Sequence, residues 1–341
     1  MMWRMMLALV LSLAITLAIG PTVIRELKKL RFGKKLYDLG PKHQQKEGTP
    51  YMGGIMMVIS VLIVVPACHP LPWQGGWDLT LGVLAISLLS MLVGFADDFI
   101  QMKKRQHDGL TPKQKLAGQL IGCAAFAVWC YCNPSVGSAI RIPFTTATLD
   151  LGWAYIPVMT VFAMLVINSS NLQDGLDGLE GTQTSVGCGA WAIIAVILML
   201  LASRDGQTEL AGAYYGVGIF AIALLGASRG YLRFNRFPAK VFMGDTGSMF
   251  IGGAMVGMAY VTRQPLLLLL TCFTMFMSSG SVILQRYYFK LTHGKRIFKM
   301  SPVHHHFELI GYKETQIVAM YATINYVLSA IAVLAIAGQL L

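Results

Sequence analysis

Ten apolar runs of roughly membrane-spanning length follow one another along the 341-residue chain, separated by charged or Gly/Pro-rich breaks. A bilayer core about 30 Å thick needs roughly 20 mostly apolar residues per helix, and lipid leaves no backbone polar group unpaired. The pattern therefore predicts an all-α integral membrane protein with about ten transmembrane helices in one polytopic domain, 1–341. The runs lie near 4–24, 51–67, 79–96, 116–131, 152–168, 186–203, 210–227, 246–261, 264–284 and 316–340.

The basic residues fall almost entirely on one side of this map. Of the 27 Lys and Arg residues, 23 lie in four gaps that would share a face, at 25–50, 97–115, 228–245 and 285–315. Short cytoplasmic loops are enriched in Lys and Arg. We therefore predict that these gaps are cytoplasmic, that the gap 168–185 joins them because of its neighbours, and that both termini are extracytoplasmic.

The net charge of +11 takes its meaning from this topology. On the cytoplasmic side 23 basic residues face 12 acidic ones, so the whole excess belongs to one surface. Topology and contact with anionic membrane lipid explain such a surface, and we predict no nucleic-acid partner. A cleaved secretory signal is the alternative interpretation of the first run, but a single Arg4 and a long apolar stretch argue against it.

Several carboxylates stand at the cytoplasmic ends of apolar runs instead of in open loops. They are Asp97 and Asp98, Asp174 and Asp177, and Asp245. Ionisable groups at membrane depth are costly and usually functional. A helix cap is the alternative for any single one, but three clusters on one face favour a site.

Each cluster indicates a chemistry. Asp97 and Asp98 project about 100° apart on a helix, so one can face a substrate and the other a metal or Lys. Like-charge proximity makes a general base available there. Asp174 and Asp177 are spaced to share a helical face. Asp245 stands where an apolar helix begins, so free N–H groups are expected beside its carboxylate, and Mg²⁺ is the natural occupant.

A run of three histidines, His304, His305 and His306, follows in the last cytoplasmic gap. Consecutive histidines lack the spacing of a helical zinc site, so phosphate or sugar contacts are favoured over zinc or a solvated run. Lys and Asn residues accompany the clusters, and together with a Mg²⁺ site they describe phosphoryl transfer. These residues, with neighbouring Arg, are Lys46, Lys103, Lys104, Arg105, Lys113, Lys115, Asn235, Arg236 and Lys240.

Six segments in order resemble the phospho-N-acetylmuramoyl-pentapeptide transferase family, within the polyprenyl-phosphate N-acetylhexosamine-1-phosphate transferase superfamily. The resemblance runs from about residue 25 to 315, on the side that the charges mark as cytoplasmic. The segments are KEGTPYMGG (46–54), GFADDF (94–99), GLTPKQK (109–115), NLQDGLDGL (171–179), NRFPAKVFMGDTGS (235–248) and SPVHHHFE (301–308).

The resemblance implies transfer of phospho-MurNAc-pentapeptide from UDP-MurNAc-pentapeptide to undecaprenyl phosphate, giving lipid I and UMP, with Mg²⁺ as cofactor. This is the first membrane step of peptidoglycan synthesis. It also implies a catalytic cleft on the cytoplasmic side, a homodimer, and a place in the bacterial cytoplasmic (inner) membrane.

Site roles carry over by motif. Asp97 is the expected base for the lipid phosphate, with Asp98 beside it, and Asp245 is the expected Mg²⁺ ligand, supported by Asn171 and Asp174. The uridine is expected among Leu172, Gly175, Asp177 and Phe242. Other positions are expected near the nucleotide-sugar and its phosphates, with Lys113 and His304 among the catalytic residues: Lys46, Lys113, Asn235, His304, His305 and His306. Direct attack and a covalent aspartyl-phosphate route both remain open.

The chain departs from the family pattern at Tyr51, Gln101, Gln173 and Tyr312, where Thr, Lys, Thr and Trp are usual. None of these removes a carboxylate, so they bear on substrate contacts more than on the reaction. Two rivals remain: a transferase of GlcNAc-1-phosphate to the same lipid, which usually lacks the His triplet, and a secondary transporter. Transporters carry membrane carboxylates near the midplane and internal repeats, which the sequence does not show.

Overall fold

The computed structural model describes residues 2–30, 48–69, 76–104 and 109–338. Lys46 lies outside this range. Within these ranges, each of the ten predicted runs overlaps helix. The helices are α1 (Met2–Lys29), α2 (Ile55–Cys68), α3 (Trp77–Lys104), α4 (Pro112–Cys132), α5 (Tyr155–Gln173), α6 (Leu179–Arg204), α7 (Thr208–Asn235), α8 (Gly244–Val261), α9 (Leu268–Thr271), α10 (Phe273–Leu291), α11 (Val303–Leu309) and α12 (Glu314–Ala337).

Within the described ranges, seven helices are long and apolar enough to cross a membrane. An eighth candidate is the bent pair Pro265–Thr271 and Phe273–Leu291, whose two parts meet at 83°. These helices confirm a helical, multi-pass membrane protein. The other two predicted runs correspond to α2, which has only 14 residues, and to α8, which lies inside the bundle. The count of ten spans and their orientation stay predictions.

A small β-hairpin interrupts the helices, and the all-α prediction missed it. Strand β1 (Ala139–Arg141) pairs antiparallel with β2 (Thr148–Asp150), with Ile140 opposite Leu149. The hairpin is fastened to the turn after α8, because Arg141 N donates to Arg263 O at 2.9 Å and Arg263 Nε donates to Ala139 O at 3.0 Å. Strands of three residues are too short for the alternation that identifies a strand in sequence.

Helix α8 packs between α3 and α5, and its residues from Thr246 to Val261 are all buried. Its glycines set how closely the neighbours approach. A Cβ at Gly253 would stand 2.8 Å from the Ile86 carbonyl oxygen of α3, and one at Gly252 would stand 2.6 Å from Ile167 Cα of α5. Small residues allow such backbone contact in membrane bundles, where packing is a main source of helix association.

The residues that lead into α8, which begins at Gly244, are hydrogen-bonded to the segment before α2. Gly53 N donates to Phe242 O at 2.8 Å, Gly54 N donates to Met243 O at 3.0 Å, and Phe242 N donates to Pro50 O at 2.8 Å. Chain segments distant in sequence therefore fix where α8 begins. The ends of α3 and α5 and the start of α4 meet α8 at this same level.

The contact at Gly253 makes a prediction about stability. Gly253→Ala places a methyl group against the α3 backbone, which cannot move as a side chain would, so the thermal midpoint of the purified protein should fall. Gly280→Ala in α10 is the matched control, because a Cβ there meets no atom within 4 Å. Equal midpoints for the two variants in a thermal-unfolding assay would contradict this account of α8.

Candidate active site

Four helices bring polar side chains, from near one end of each helix, to one point around the ammonium of Lys115. Lys115 itself lies in the first turn of α4. Lys115 Nζ forms an ion pair with Asp245 Oδ2. It also lies 3.9 Å from Asp97 Oδ2 and 3.5 Å from Asn171 Oδ1. We call Lys115, Asp97, Asn171 and Asp245 the Lys115 cluster. Its members come from α4, α3, α5 and α8, so the cluster forms only when these helices are packed.

Asn171 links α5 to α8 through its amide. Its Nδ2 donates to Asp245 Oδ1 at 2.8 Å and to Ser248 Oγ at 3.0 Å, while its Oδ1 faces Lys115. Both Asp245 oxygens are thus engaged, one by an ammonium and one by an amide. Asp245 keeps 23% of its side chain exposed, so the cluster is reachable from outside.

Asp97 is held from two sides at the end of α3. Leu110 N donates to its Oδ1 at 2.7 Å, and Gln101 Nε2 donates to its Oδ2 at 2.8 Å. Gln101 is the departure from the family pattern, and here it supplies a neutral hydrogen bond one turn along the same helix. The Asp97 carboxylate is thereby oriented toward Lys115.

Asp98 points elsewhere and caps α8. Its Oδ2 accepts from Thr246 N at 2.9 Å and from Thr246 Oγ1 at 2.6 Å, and its Oδ1 accepts from Asp245 N at 3.3 Å. The N–H groups expected to be free beside Asp245 are therefore already occupied, and that interpretation was wrong. The divergence of neighbouring residues on a helix gives Asp97 and Asp98 separate surroundings, as expected.

The charges of this region do not balance internally. Three carboxylates, Asp97, Asp98 and Asp245, are accompanied by one ammonium, so their ionised forms leave an excess of two negative charges. Oxygens of two carboxylates and one amide converge on the Lys115 ammonium, which is a small cation. Such a donor set also suits Mg²⁺, which takes one or two protein carboxylates and completes its shell with water and phosphate. In the described part of the chain, no three His, Cys, Asp or Glu side chains form a metal site by themselves.

Asp177, from the second predicted pair of carboxylates, and Asn235 connect two loops by hydrogen bonds. Asp177 Oδ2 accepts from Ala239 N at 2.9 Å, and Asn235 Oδ1 accepts from Gly178 N at 3.0 Å. Asn235 Nδ2 in turn donates to Val241 O at 2.9 Å. These bonds join the turn between α5 and α6 to the segment leading into α8. Asp174 directly follows Gln173, the last residue of α5, so Asp174 and Asp177 lie in the turn between α5 and α6, and the predicted shared helical face was wrong.

The His triplet divides among three surroundings. His304 is fully buried, with Nε2 against Gly175, where a Cβ would stand 2.2 Å away. Burial, with a smaller contribution from His305, holds the pKa of His304 well below its usual 6.5, so this ring is neutral. His305 Nδ1 lies 2.6 Å from Glu308 Oε2, and His306 Nδ1 accepts from Lys299 N at 3.1 Å. His304 alone of the three thus faces the Gly175 turn through a described contact.

Lys115 is the functional candidate that the sequence did not single out from its basic neighbours. The predicted residue Lys113 is exposed in the first turn of α4. Thr111 starts this helix through a capping box with Gln114. Residues two positions apart project about 200° apart around a helix. Because Thr111 fixes where α4 begins, Lys113 and Lys115 point in nearly opposite directions. The other predicted contacts, Leu172 and Phe242, are half-buried near the ends of α5 and α8.

Comparison with known proteins adds independent information. A family profile described as Glycosyl transferase family 4 matches residues 80–263. The chain is 39% identical over 330 residues to the phospho-N-acetylmuramoyl-pentapeptide-transferase of Halalkalibacterium halodurans, covering 96% of each chain. It is 39% identical over 327 residues to the protein of the same name from Bacillus subtilis, covering 95% of each. It is 40% identical over 325 residues to that from Bacillus thuringiensis, covering 94% of each.

The geometry of the cluster predicts different effects for two lysines. Lys115→Met leaves Asp97 and Asp245 without their shared cation, and an unpaired buried acceptor costs about 1–3 kcal/mol. The thermal midpoint should therefore fall. Lys113→Met, two residues earlier and exposed, is the matched control and should leave the midpoint unchanged. A larger loss for Lys113→Met in the same unfolding assay would show that the cluster is assigned to the wrong lysine.

Proposed function

Because the chain belongs to the phospho-N-acetylmuramoyl-pentapeptide transferase family, we propose that it transfers phospho-MurNAc-pentapeptide from UDP-MurNAc-pentapeptide to undecaprenyl phosphate. The products are lipid I and UMP. The identity of about 39% over nearly the whole chain supports this assignment. All three relatives described above carry the muramoyl name, which favours this substrate over a GlcNAc-1-phosphate donor.

The observation that carries the proposal is the Lys115 cluster. Phosphoryl transfer depends mostly on positioning and on electrostatic stabilisation of phosphate oxygens, with little covalent chemistry from the protein. A set of fixed carboxylate and amide oxygens around one cation, open on one side, meets that requirement. Four helices fix it, so little reorganisation accompanies substrate binding.

The proposed cofactor is Mg²⁺. Asp245 and Asn171 are the residues proposed to hold it, with Asp174 from the end of α5 in support, and Asp97 is close enough to share the site. When bound, Mg²⁺ would neutralise charge on the diphosphate as UMP leaves. Lys115 would contribute a second positive charge to the same phosphates.

Asp97 is the proposed general base. Its carboxylate is oriented by Leu110 N and Gln101, and it would take the proton from the undecaprenyl phosphate hydroxyl. The deprotonated oxygen then attacks the β-phosphorus of the UDP-sugar, the bond from this phosphorus to the oxygen bridging the two phosphates breaks, and UMP leaves with that oxygen. A base positioned by two fixed hydrogen bonds loses little freedom in the reaction. We favour this direct attack over an aspartyl-phosphate intermediate, because phosphoryl transfer needs little covalent chemistry from the protein and direct attack uses Asp97 only as a proton acceptor.

The membrane setting is part of the proposal. Ten spans with extracytoplasmic termini would place the ends of α3 and α5 and the starts of α4 and α8 at the cytoplasmic interface. There the lipid phosphate and the soluble nucleotide-sugar meet. We propose the bacterial inner membrane as the location and a homodimer as the assembly.

Replacing the base tests the proposal. Asp97→Asn keeps the side-chain shape but cannot accept the proton, so UMP release from UDP-MurNAc-pentapeptide should fall by about 10²–10⁴-fold. Asp78→Asn is the matched control, since Asp78 lies in the first turn of the same helix, at its other end, bonded to Asn133. It should keep wild-type turnover.

Two further arms separate the alternatives. UDP-GlcNAc in place of the muramoyl donor should give little UMP, and efficient turnover of it would favour the rival transferase. Reconstituted liposomes should show UMP formation, and substrate flux without UMP would favour a transporter. Near-normal turnover of Asp97→Asn across pH would remove Asp97 as the base.

A further inference from the structure

A buried acidic residue, Glu180, lies behind the Lys115 cluster and has no part in the chemistry described above. It stands in the first turn of α6 and is 1% exposed. Its Oε1 is 2.8 Å from the hydroxyl oxygen of Ser170, which is the residue before Asn171. The same hydroxyl oxygen is 2.6 Å from the backbone carbonyl oxygen of Ser248 in α8.

The number of hydrogens at Ser170 limits how these contacts can form. A hydroxyl has one hydrogen to donate and can accept others. Both O···O distances are those of full hydrogen bonds, and the Ser248 carbonyl has no hydrogen. Ser170 therefore donates to Ser248 O. The contact with Glu180 then needs a hydrogen from Glu180, which only the protonated acid carries.

The surroundings of Glu180 agree with a neutral acid. Its second oxygen, Oε2, is buried with no hydrogen-bond partner, and no ion pair between described residues includes Glu180. An ionised carboxylate would leave a charged oxygen unsolvated there. The start of α6 favours negative charge, but that contribution is smaller than the cost of removing an ion from water.

We propose that Glu180 is a neutral hydrogen-bond donor that positions the active site through Ser170. Glu180 Oε1 donates to Ser170 Oγ, and Ser170 Oγ donates to Ser248 O. These two hydrogen bonds join the start of α6 to the end of α5 and the start of α8. Asn171 follows Ser170 and bonds both Asp245 and Ser248 Oγ, so the two hydrogen bonds fix the distance between Asn171 and Asp245.

The inference rests on the proposed function and makes Glu180 a positioning residue. Glu180→Gln keeps a donor in the same place, because its Nε2–H replaces the acid proton. Its kcat for UMP release should stay within about twofold of wild type, whereas Glu180→Ala and Ser170→Ala should lose about tenfold. The KM for UDP-MurNAc-pentapeptide should not change, since neither residue is proposed to touch the nucleotide.

Gln183→Ala is the matched control, because it removes a buried side chain of similar length one turn further along α6. It should keep kcat even where it lowers the thermal midpoint as Glu180→Ala does. Infrared spectra of protein labelled with ¹³C-glutamate give a readout independent of activity. The carbonyl band of a protonated carboxylic acid should be present in wild type and absent in Glu180→Gln.

Three results would overturn the inference. Glu180→Gln could lose as much kcat as Glu180→Ala, which would mean that the charge is needed. Glu180→Ala could turn over like wild type, or the infrared band could be the same in wild type and Glu180→Gln. A wild-type protein that releases no UMP would instead contradict the proposed function, and the infrared comparison would still decide the state of Glu180.

Discussion

The ammonium of Lys115, placed among Asp97, Asn171 and Asp245, is the interaction on which the site depends. Ionised carboxylates from α3 and α8 repel each other when helix packing brings them together. A cation between them converts this repulsion into an attraction that holds the helix ends in register. The excess negative charge that remains is the basis on which we propose that the site binds a further cation.

The rest of the bundle places α8 where this interaction can form. Glycines at positions 252 and 253 let α8 approach α5 and α3 at backbone distance. Asp98 caps the start of α8 and so sets the direction from which Asp245 leaves the helix. The Glu180 and Ser170 contacts add a third support from α6. The adjacent residues Asp97 and Asp98 therefore have separate roles. Asp97 faces the Lys115 cluster, and Asp98 binds the backbone of α8.

Much of this architecture follows from the sequence. Apolar runs identified the helices, and the described part of the chain confirms a multi-pass helical protein. The carboxylates were recognised because charge is costly at helix ends in lipid. The sequence did not predict which lysine contacts these carboxylates. Lys113 and Lys115 differ in their direction around the axis of α4, and this direction depends on where the Thr111 cap starts the helix. The cap formed by Asp98 and the separation of His304 from its neighbours likewise depend on tertiary contacts.

We propose that the Lys115 cluster holds a divalent cation through Asp245. Electron paramagnetic resonance with Mn²⁺ in place of Mg²⁺, in the presence of UMP, tests it on the purified full-length protein. Wild type should bind Mn²⁺ in competition with Mg²⁺. Asp245→Asn should bind it at least about tenfold more weakly, because an ionised ligand is lost, while Asp78→Asn should bind like wild type. Equal Mn²⁺ affinity in wild type and Asp245→Asn would contradict the account.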